Sequence, residues 1–406
     1  MEAVTIDLPG CKSASQRALL LAALAAGPST LHGLGDGADS KELATALAAL
    51  GVAQRLQTDG SLHLQGLGGT PKLAGQVLNI GEGGSTLRFL LPLVARCTGQ
   101  VRLKLAAGLM ARPHGPLLEL LQNNGSQVES LSDGFLIHGT DQPLAKPTTV
   151  PVALSSQFFS GLLMTSGSCE QQWLLDQQPV SVGYLNMTVA MMKQFRGAEC
   201  LQVNGLHWHQ QAGFGEGQDY IVPADTSAAL FFAVAAVVLQ RPIRLARALS
   251  AEHPDDYALQ FLVEAGFLNF DGEVFEPLPN GFASKPFDLS RSPDSGPALA
   301  ILAATSESGL SFEKAERLRH KESDRIDGMA RLAVACGAEL SQSGGDLSIL
   351  PKRQAPAHSS FNPSADHRLA MAAGVAALRW PGIEITHPAC VAKSFPTFWQ
   401  QLDLLR

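Results

Sequence analysis

The sequence predicts an α/β fold of six similar units arranged as two lobes of three, and three periodic features predict it. Five amphipathic helix patterns end at Gly51, Gly125, Gly197, Gly266 and Gly337, spaced 74, 72, 69 and 71 residues apart. Glycine at such an end suits a left-handed cap, because it has no Cβ to penalise positive φ. A second, more apolar helix pattern opens at Ser13, Ser85, Ser156, Ser227, Ser295 and His367, at intervals of 72, 71, 71, 68 and 72. The stretches after the glycines alternate polar and apolar residues as hairpins do, for example Val52–Leu64 and Ala338–Leu350. Solenoid arrays repeat every 20 to 50 residues or so, a shorter period than this one.

Each unit therefore reads as β, α, β, α, β, β. The chain is expected to cross between lobes near residues 11 and 223, giving one lobe of residues 1–11 plus 224–406 and another of 12–223. The sixth unit ends in a helix over Phe395–Leu405 with no hairpin after it. The N-terminal strand, Ala3–Leu8, is expected to complete that unit by pairing with the C-terminal part.

Composition narrows the class. With 406 residues, 45% hydrophobic and 17% charged, the chain can bury large cores and is not disordered. A net charge of -7 argues against nucleic acid as a partner, so an anionic ligand would need a locally basic cleft. The six cysteines are dispersed without CxxC spacing, which argues against a zinc site or disulfide framework and for a reducing cytoplasm. Ala18–Ala26 imitates a signal-peptide core, but Glu2, Asp7 and Pro9 precede it and it coincides with the first inner helix. Ala228–Leu239 is 12 residues long, short of the roughly 18 to 20 that span a bilayer. Both read as buried helices, and no membrane partner is expected.

The inner helix starts gather the candidate ligand residues. Each free helix N-terminus favours an anion by only about 0.3 to 1 kcal/mol, so tight binding also needs basic side chains. Lys12, Ser13 and Arg17 open the first inner helix, and Gly81-Glu-Gly-Gly-Ser-Thr-Leu-Arg88 opens the second. That glycine-rich segment is neither GxGxxG nor GKS/T, so no nucleotide cofactor is indicated. Arg112 precedes a helix-starting Pro113, Ser155-Ser-Gln157 opens the third helix, and Ser181-Val-Gly-Tyr184 follows. In the second half, Asp225-Thr-Ser-Ala228 reads as a cap, and Asp294 stands at the fifth helix start. His207 and His209 alternate on a hairpin strand with no third ligand, which suits exposed residues better than a metal site.

The densest segment is Arg317-Leu-Arg-His-Lys-Glu-Ser-Asp-Arg325. Short charge runs usually face water. Here an acidic protein concentrates five basic or imidazole side chains in nine residues, which also suits a ligand with several negative charges. A carboxylate among them, Glu322, is a candidate acid or base.

In order, these segments resemble the enolpyruvyl transferase family, in its branch acting on shikimate-3-phosphate. The matching segments are Leu8-Pro-Gly-Cys-Lys-Ser-Ala-Ser-Gln-Arg17, Gly81 to Arg88, Arg112-Pro-His-Gly-Pro116, Ser155 to Gln157 and Pro293-Asp294. Lys321-Glu-Ser-Asp-Arg325, Asp366-His-Arg368 and Lys393-Ser-Phe-Pro396 complete a set spanning residues 8 to about 398. The resemblance implies an inside-out α/β barrel in each of two lobes, with the active site in the cleft between them. It implies transfer of the enolpyruvyl group of phosphoenolpyruvate to the 5-hydroxyl of shikimate-3-phosphate, by a monomer without cofactor or metal.

By the same resemblance, Lys12, Ser13, Arg17, Ser155, Ser156, Gln157, Ser181, Asp294 and Lys321 would bind shikimate-3-phosphate. Lys12, Gly84, Arg112, Gln157, Arg325, Arg368 and Lys393 would bind phosphoenolpyruvate. Asp294 would be the base on the shikimate hydroxyl, Glu322 would do acid–base work, and Lys12 would assist charge and proton transfer. Glyphosate would compete with phosphoenolpyruvate, since Gly84 leaves room for it. The chain departs from the family at Glu82 and Arg317, where Asn is frequent, and at His253-Pro-Asp-Asp256, where a Gln-x-Asp turn is common. Two rivals remain: the branch acting on UDP-N-acetylglucosamine, which usually carries a reactive Cys near the Arg112 loop, and a non-catalytic anion-binding protein.

Overall fold

All six inner helices form, each within one residue of its expected start, in a computed structural model that describes residues 2–279, 281–351 and 358–406. They are Lys12–Leu24, Gly84–Ala95, Ser156–Thr165, Thr226–Leu239, Gly296–Thr305 and His367–Arg379. Being apolar nearly all round, they are buried nearly all round. Leu19 to Ala25 and Ala229 to Ala236 are each at most 1% exposed, so the segment that imitated a signal peptide is core. Each such Leu, Val or Phe contributes about 1.5 to 3 kcal/mol by leaving water. Among the described residues no helix is long and apolar enough to cross a membrane.

The chain divides into two compact units, Met1–Cys11 with Pro223–Arg406, and Lys12–Val222. In Lys12–Val222 the repeat is plainest over residues 76–139. Strands Gln76–Gly81 and Gly99–Leu105 pair in parallel across the inner helix, and Gly99–Leu105 pairs antiparallel with the second arm of the hairpin Gln127–Leu131/Gly134–Gly139. Parallel neighbours need a long crossover connection, usually a helix, which the inner helix supplies. The same four-strand order recurs in the other two sheets of this unit.

Two strands come from a distance. Asp219–Ile221 pairs in parallel with Ala26–His32, so the first sheet takes its opening strand from the end of its own unit. Val4–Ile6 pairs in parallel with Ile243–Leu245. The N-terminal strand therefore completes the fourth unit, not the sixth as expected. The segment just before the fourth inner helix is already committed to the first sheet, which leaves that parallel edge for the chain's beginning.

Among the described residues the sixth unit keeps only a parallel pair, Ser359–Phe361 with Ile383–Ile385. Its final helix runs Phe398–Asp403, not Phe395–Leu405. Pro396 disfavours helical backbone at Phe395 and delays the start.

All five repeat glycines have positive φ: 98° at Gly51, 94° at Gly125, 91° at Gly197, 69° at Gly266 and 71° at Gly337. Gly197 differs from a left-handed cap, since its ψ of 155° takes it into a region nearly reserved for glycine.

Candidate active site

The basic run divides into a solvated half and an inward half. Arg319 and His320 are exposed, and Arg319 pairs with Asp324 at 2.6 Å. Asp324 also accepts from the Asp327 N–H at 3.1 Å, which caps the helix Arg325–Ala335. That cap fixes Arg325 at the first helical position with its side chain only 1% exposed.

Three carboxylates hold the Arg325 guanidinium. Nη1 donates to Asp294 at 2.6 Å, Nη2 to Glu322 at 2.8 Å and Nε to Asp366 at 2.8 Å. Arg368 Nη2 and Lys321 Nζ reach the same Asp294 at 3.0 and 3.3 Å, and Lys393 Nζ lies 3.6 Å from Glu322. Four cations thus share three acids in one largely buried cluster. Burial works against the Arg325 cation, but Asp366, Glu322 and Asp294 outweigh it and raise its pKa. Burial also pushes the Asp294 carboxyl up, but Arg368, Lys321 and Arg325 overcome this and hold it well below the ordinary 3.8. Lys321 and Arg317 both lose proton affinity through burial, with Asp294 opposing the loss.

Non-glycine residues at positive φ precede these groups: Lys314 at 57°, Ser364 at 54°, Ala365 at 59° and His387 at 52°. Such conformations cost on the order of 1–3 kcal/mol and persist where surrounding structure enforces them.

Asp255 braces the cluster from behind. It is fully buried, accepts from Ser292 Oγ at 2.5 Å, and also accepts from Ser227 Oγ at the fourth inner helix. The Ser292 carbonyl in turn accepts from Ser295 Oγ at 2.7 Å, so the turn carrying Asp294 is tied at both ends.

In the unit Lys12–Val222 three inner helix starts join. Lys12 pairs with Asp39 at 3.2 Å, and Gln16 Nε2 donates to Thr86 Oγ1 at 2.9 Å, linking the first helix to the second. Arg17 donates to Thr188 Oγ1 at 2.8 Å and to the carbonyls of Ser13 and Tyr184. Ser155 caps the third helix at the Gln157 N–H. The Gln157 amide bridges helices, donating to Ser85 Oγ at 2.9 Å and accepting from Arg88 Nη1 at 2.6 Å. Ser156 Oγ donates to the carbonyl of Ser181, which sits at φ 50°. Arg112 lies beside Gly84, where an added Cβ would be 2.9 Å from Nη1.

The structure therefore brings Asp294, Lys321, Glu322, Arg325, Arg368 and Lys393 together in one unit. In the other, Lys12 meets Asp39 while Arg17 holds Ser13, Tyr184 and Thr188. Gln157 (capped by Ser155) reaches the second helix start, and Ser156 bonds Ser181. Gly84 and Arg112 form a further contact there. Asp225 is the expected cap, accepting from Ala228 N–H at 3.0 Å. His209 bonds Glu170 at 2.7 Å and His207 is exposed. Among the described residues no group of three or more His, Cys, Asp or Glu is placed to hold a metal ion. Sequence reasoning missed Asp39, Arg88, Asp255 and Asp366. Arg88 and Asp366 lie inside motifs already singled out, so reading each motif's every charge would have found them. Asp255 lies inside the singled-out segment His253 to Asp256 as well, whereas Asp39 carries no such signal.

Comparison with known proteins bears on this arrangement. A sequence profile of the EPSP synthase (3-phosphoshikimate 1-carboxyvinyltransferase) family matches residues 3–402. The 3-phosphoshikimate 1-carboxyvinyltransferase of Rhizobium leguminosarum bv. trifolii is 32% identical over 98% of this chain and 93% of its own length. That of Pseudomonas syringae pv. syringae is 32% identical over 98% and 94%. Among solved structures, EPSP synthase from Acinetobacter baumannii superposes with a TM-score of 0.76 at 24% identity, covering 99% of this chain and 95% of that one. The enolpyruvyl transferase NikO from Streptomyces tendae shares the fold at a TM-score of 0.74 and 18% identity, covering 100% and 94%.

Proposed function

Because the chain belongs to the EPSP synthase family, we propose that it transfers the enolpyruvyl group of phosphoenolpyruvate to the 5-hydroxyl of shikimate-3-phosphate, releasing phosphate. The observation that carries this reading is the arrangement of Asp294 and Glu322 on two nitrogens of one buried guanidinium, 2.6 and 2.8 Å away. Addition–elimination needs a base for the attacking hydroxyl and an acid for the methylene carbon, and two separated carboxylates can divide these tasks.

Protonation of the methylene carbon makes the neighbouring carbon electrophilic, and the hydroxyl adds to it as Asp294 takes its proton. Phosphate then leaves the tetrahedral intermediate as a proton is lost from the new methyl group, which restores the double bond. Glu322 serves the carbon in both directions. Gripped by Arg368, Lys321 and Arg325, Asp294 is a weak base. Anionic substrates that draw those cations toward themselves raise its basicity as they bind, so the base strengthens when its substrate is present. Lys12, Ser13, Arg17, Ser155, Ser156, Gln157, Ser181 and Lys321 are assigned to shikimate-3-phosphate. Lys12, Gly84, Arg112, Gln157, Arg325, Arg368 and Lys393 are assigned to phosphoenolpyruvate.

The branch acting on UDP-N-acetylglucosamine is less well supported. Cys97, the cysteine nearest in sequence to the Arg112 loop, is buried with its thiol pushed up to about 12, and it donates to the Leu93 carbonyl. A thiol in that state is a poor nucleophile. The test is phosphate release from phosphoenolpyruvate with each acceptor in turn. Release with shikimate-3-phosphate alone, abolished in Asp294→Ala, is expected. Release with UDP-N-acetylglucosamine instead would overturn the assignment.

A further inference from the structure

Glu82 has no role in the reaction above, yet its carboxylate stands at the arginine assigned to phosphoenolpyruvate. Oε2 of Glu82 lies 3.8 Å from Nη2 of Arg112, with side-chain exposures of 45% and 10%. The guanidinium rests against Gly84, and the carboxylate rests against Gly108, where an added Cβ would meet its two oxygens at 2.9 and 3.0 Å. Two glycines thus leave the space in which this one charge pair sits. Gly108 matters because any larger residue there would push the Glu82 carboxylate away.

We propose that Glu82 is a specificity-determining residue, an internal counter-ion that an incoming anion must displace from Arg112. A guanidinium that already faces a carboxylate gains less from a second anion than a bare one does, and the two negative charges then repel. The effect selects by charge. It weakens ligands that place an anionic group on Arg112, and it leaves the second substrate, which is assigned to other residues, untouched. This inference rests on the assignment of Arg112 to phosphoenolpyruvate.

The experiment compares the wild-type protein with Glu82→Gln and Glu82→Ala. Steady-state phosphate release gives KM for each substrate, and calorimetry gives phosphoenolpyruvate affinity without turnover. A partly exposed pair supports a change of about two- to fivefold. Both variants are expected to lower KM for phosphoenolpyruvate by that factor and tighten its binding, with KM for shikimate-3-phosphate unchanged. An unchanged or raised KM for phosphoenolpyruvate in Glu82→Gln, with the wild type active, would overturn the inference and leave the proposed reaction standing. A change in Glu82→Ala alone would also overturn it, because packing against Gly108 rather than charge would then be the cause. Absence of phosphate release from the wild type would instead fail the proposed reaction, and calorimetry would still read the Glu82–Arg112 pair.

Discussion

Arg325 can be fully buried only because Asp294, Glu322 and Asp366 surround it, and that dependence runs both ways. Arg325→Met would leave three acids crowded around an apolar side chain. Losing one partner of a buried pair costs about 3–5 kcal/mol, so urea unfolding of this variant should show a loss of that order. Arg319→Met, at an exposed pair, should lose no more than about 1 kcal/mol. Asp294 makes its own contribution to stability. Its folded pKa lies below 3.8, so the contribution is complete above the ordinary carboxylate range and fades as pH falls through the lower value. Ser292→Ala removes the 2.5 Å bond to Asp255 but none of the charged groups. It should lower kcat with little change in either KM, since it loosens the turn that carries Asp294. At this scale the sequence showed that charges concentrate in residues 317–325, and motif resemblance sorted their roles. It could not show that Arg319 faces water while Arg325 turns inward, because that depends on the Asp324 cap and its register against the core. Asp39 was illegible, and Asp255, although inside the noted segment His253 to Asp256, gave no sign of its partners Ser227 and Ser292, since both acids act through groups far along the chain.

His114 ties together the short segment that carries Arg112. Its Nε2 bonds the Leu109 carbonyl at 2.8 Å, and the Arg112 N–H donates to the same carbonyl at 3.1 Å. Burial lowers the His114 pKa from 6.5 to about 4. Between these values the unfolded chain binds the proton more readily. The contribution of His114 to stability is therefore complete above 6.5 and is lost as pH falls toward 4, by at most about 1.4 kcal/mol per pH unit. Urea titrations at several pH values should show this slope in the wild type and a shallower one in His114→Gln. The repeat glycines make a separate prediction. Gly197→Ala should destabilise more than Gly266→Ala, by about 1–3 against about 1 kcal/mol, because Gly197 lies outside the left-handed region. Inner helices were legible because N-cap residues and apolar runs are local signals. The last helix was misread at its start because Phe395 continues the apolar pattern while Pro396 ends its helical freedom.

The repeat was visible in the sequence as a period of about seventy residues, but the origin of two opening strands was not. Val4–Ile6 and Asp219–Ile221 are three-residue parallel strands whose partners lie 239 and 189 residues away, and nothing in so short a segment names its partner. The two units consequently differ in self-sufficiency. Lys12–Val222 contains every strand of its three sheets, so this fragment expressed alone should unfold cooperatively in urea. Residues 223–406 alone lack the strand that covers Ile243–Leu245 and should be less stable than the same fragment with 1–11 joined to it. The chemistry has its own most direct test. If the reaction passes through a methyl group made by protonating the methylene carbon, turnover in deuterated water must place deuterium in the vinyl group of the product. Magnetic resonance of that product should show the label, and Glu322→Gln should form product far more slowly. Rapid turnover to a product with an unlabelled vinyl group would contradict addition–elimination, and with it the roles given to Glu322 and Asp294.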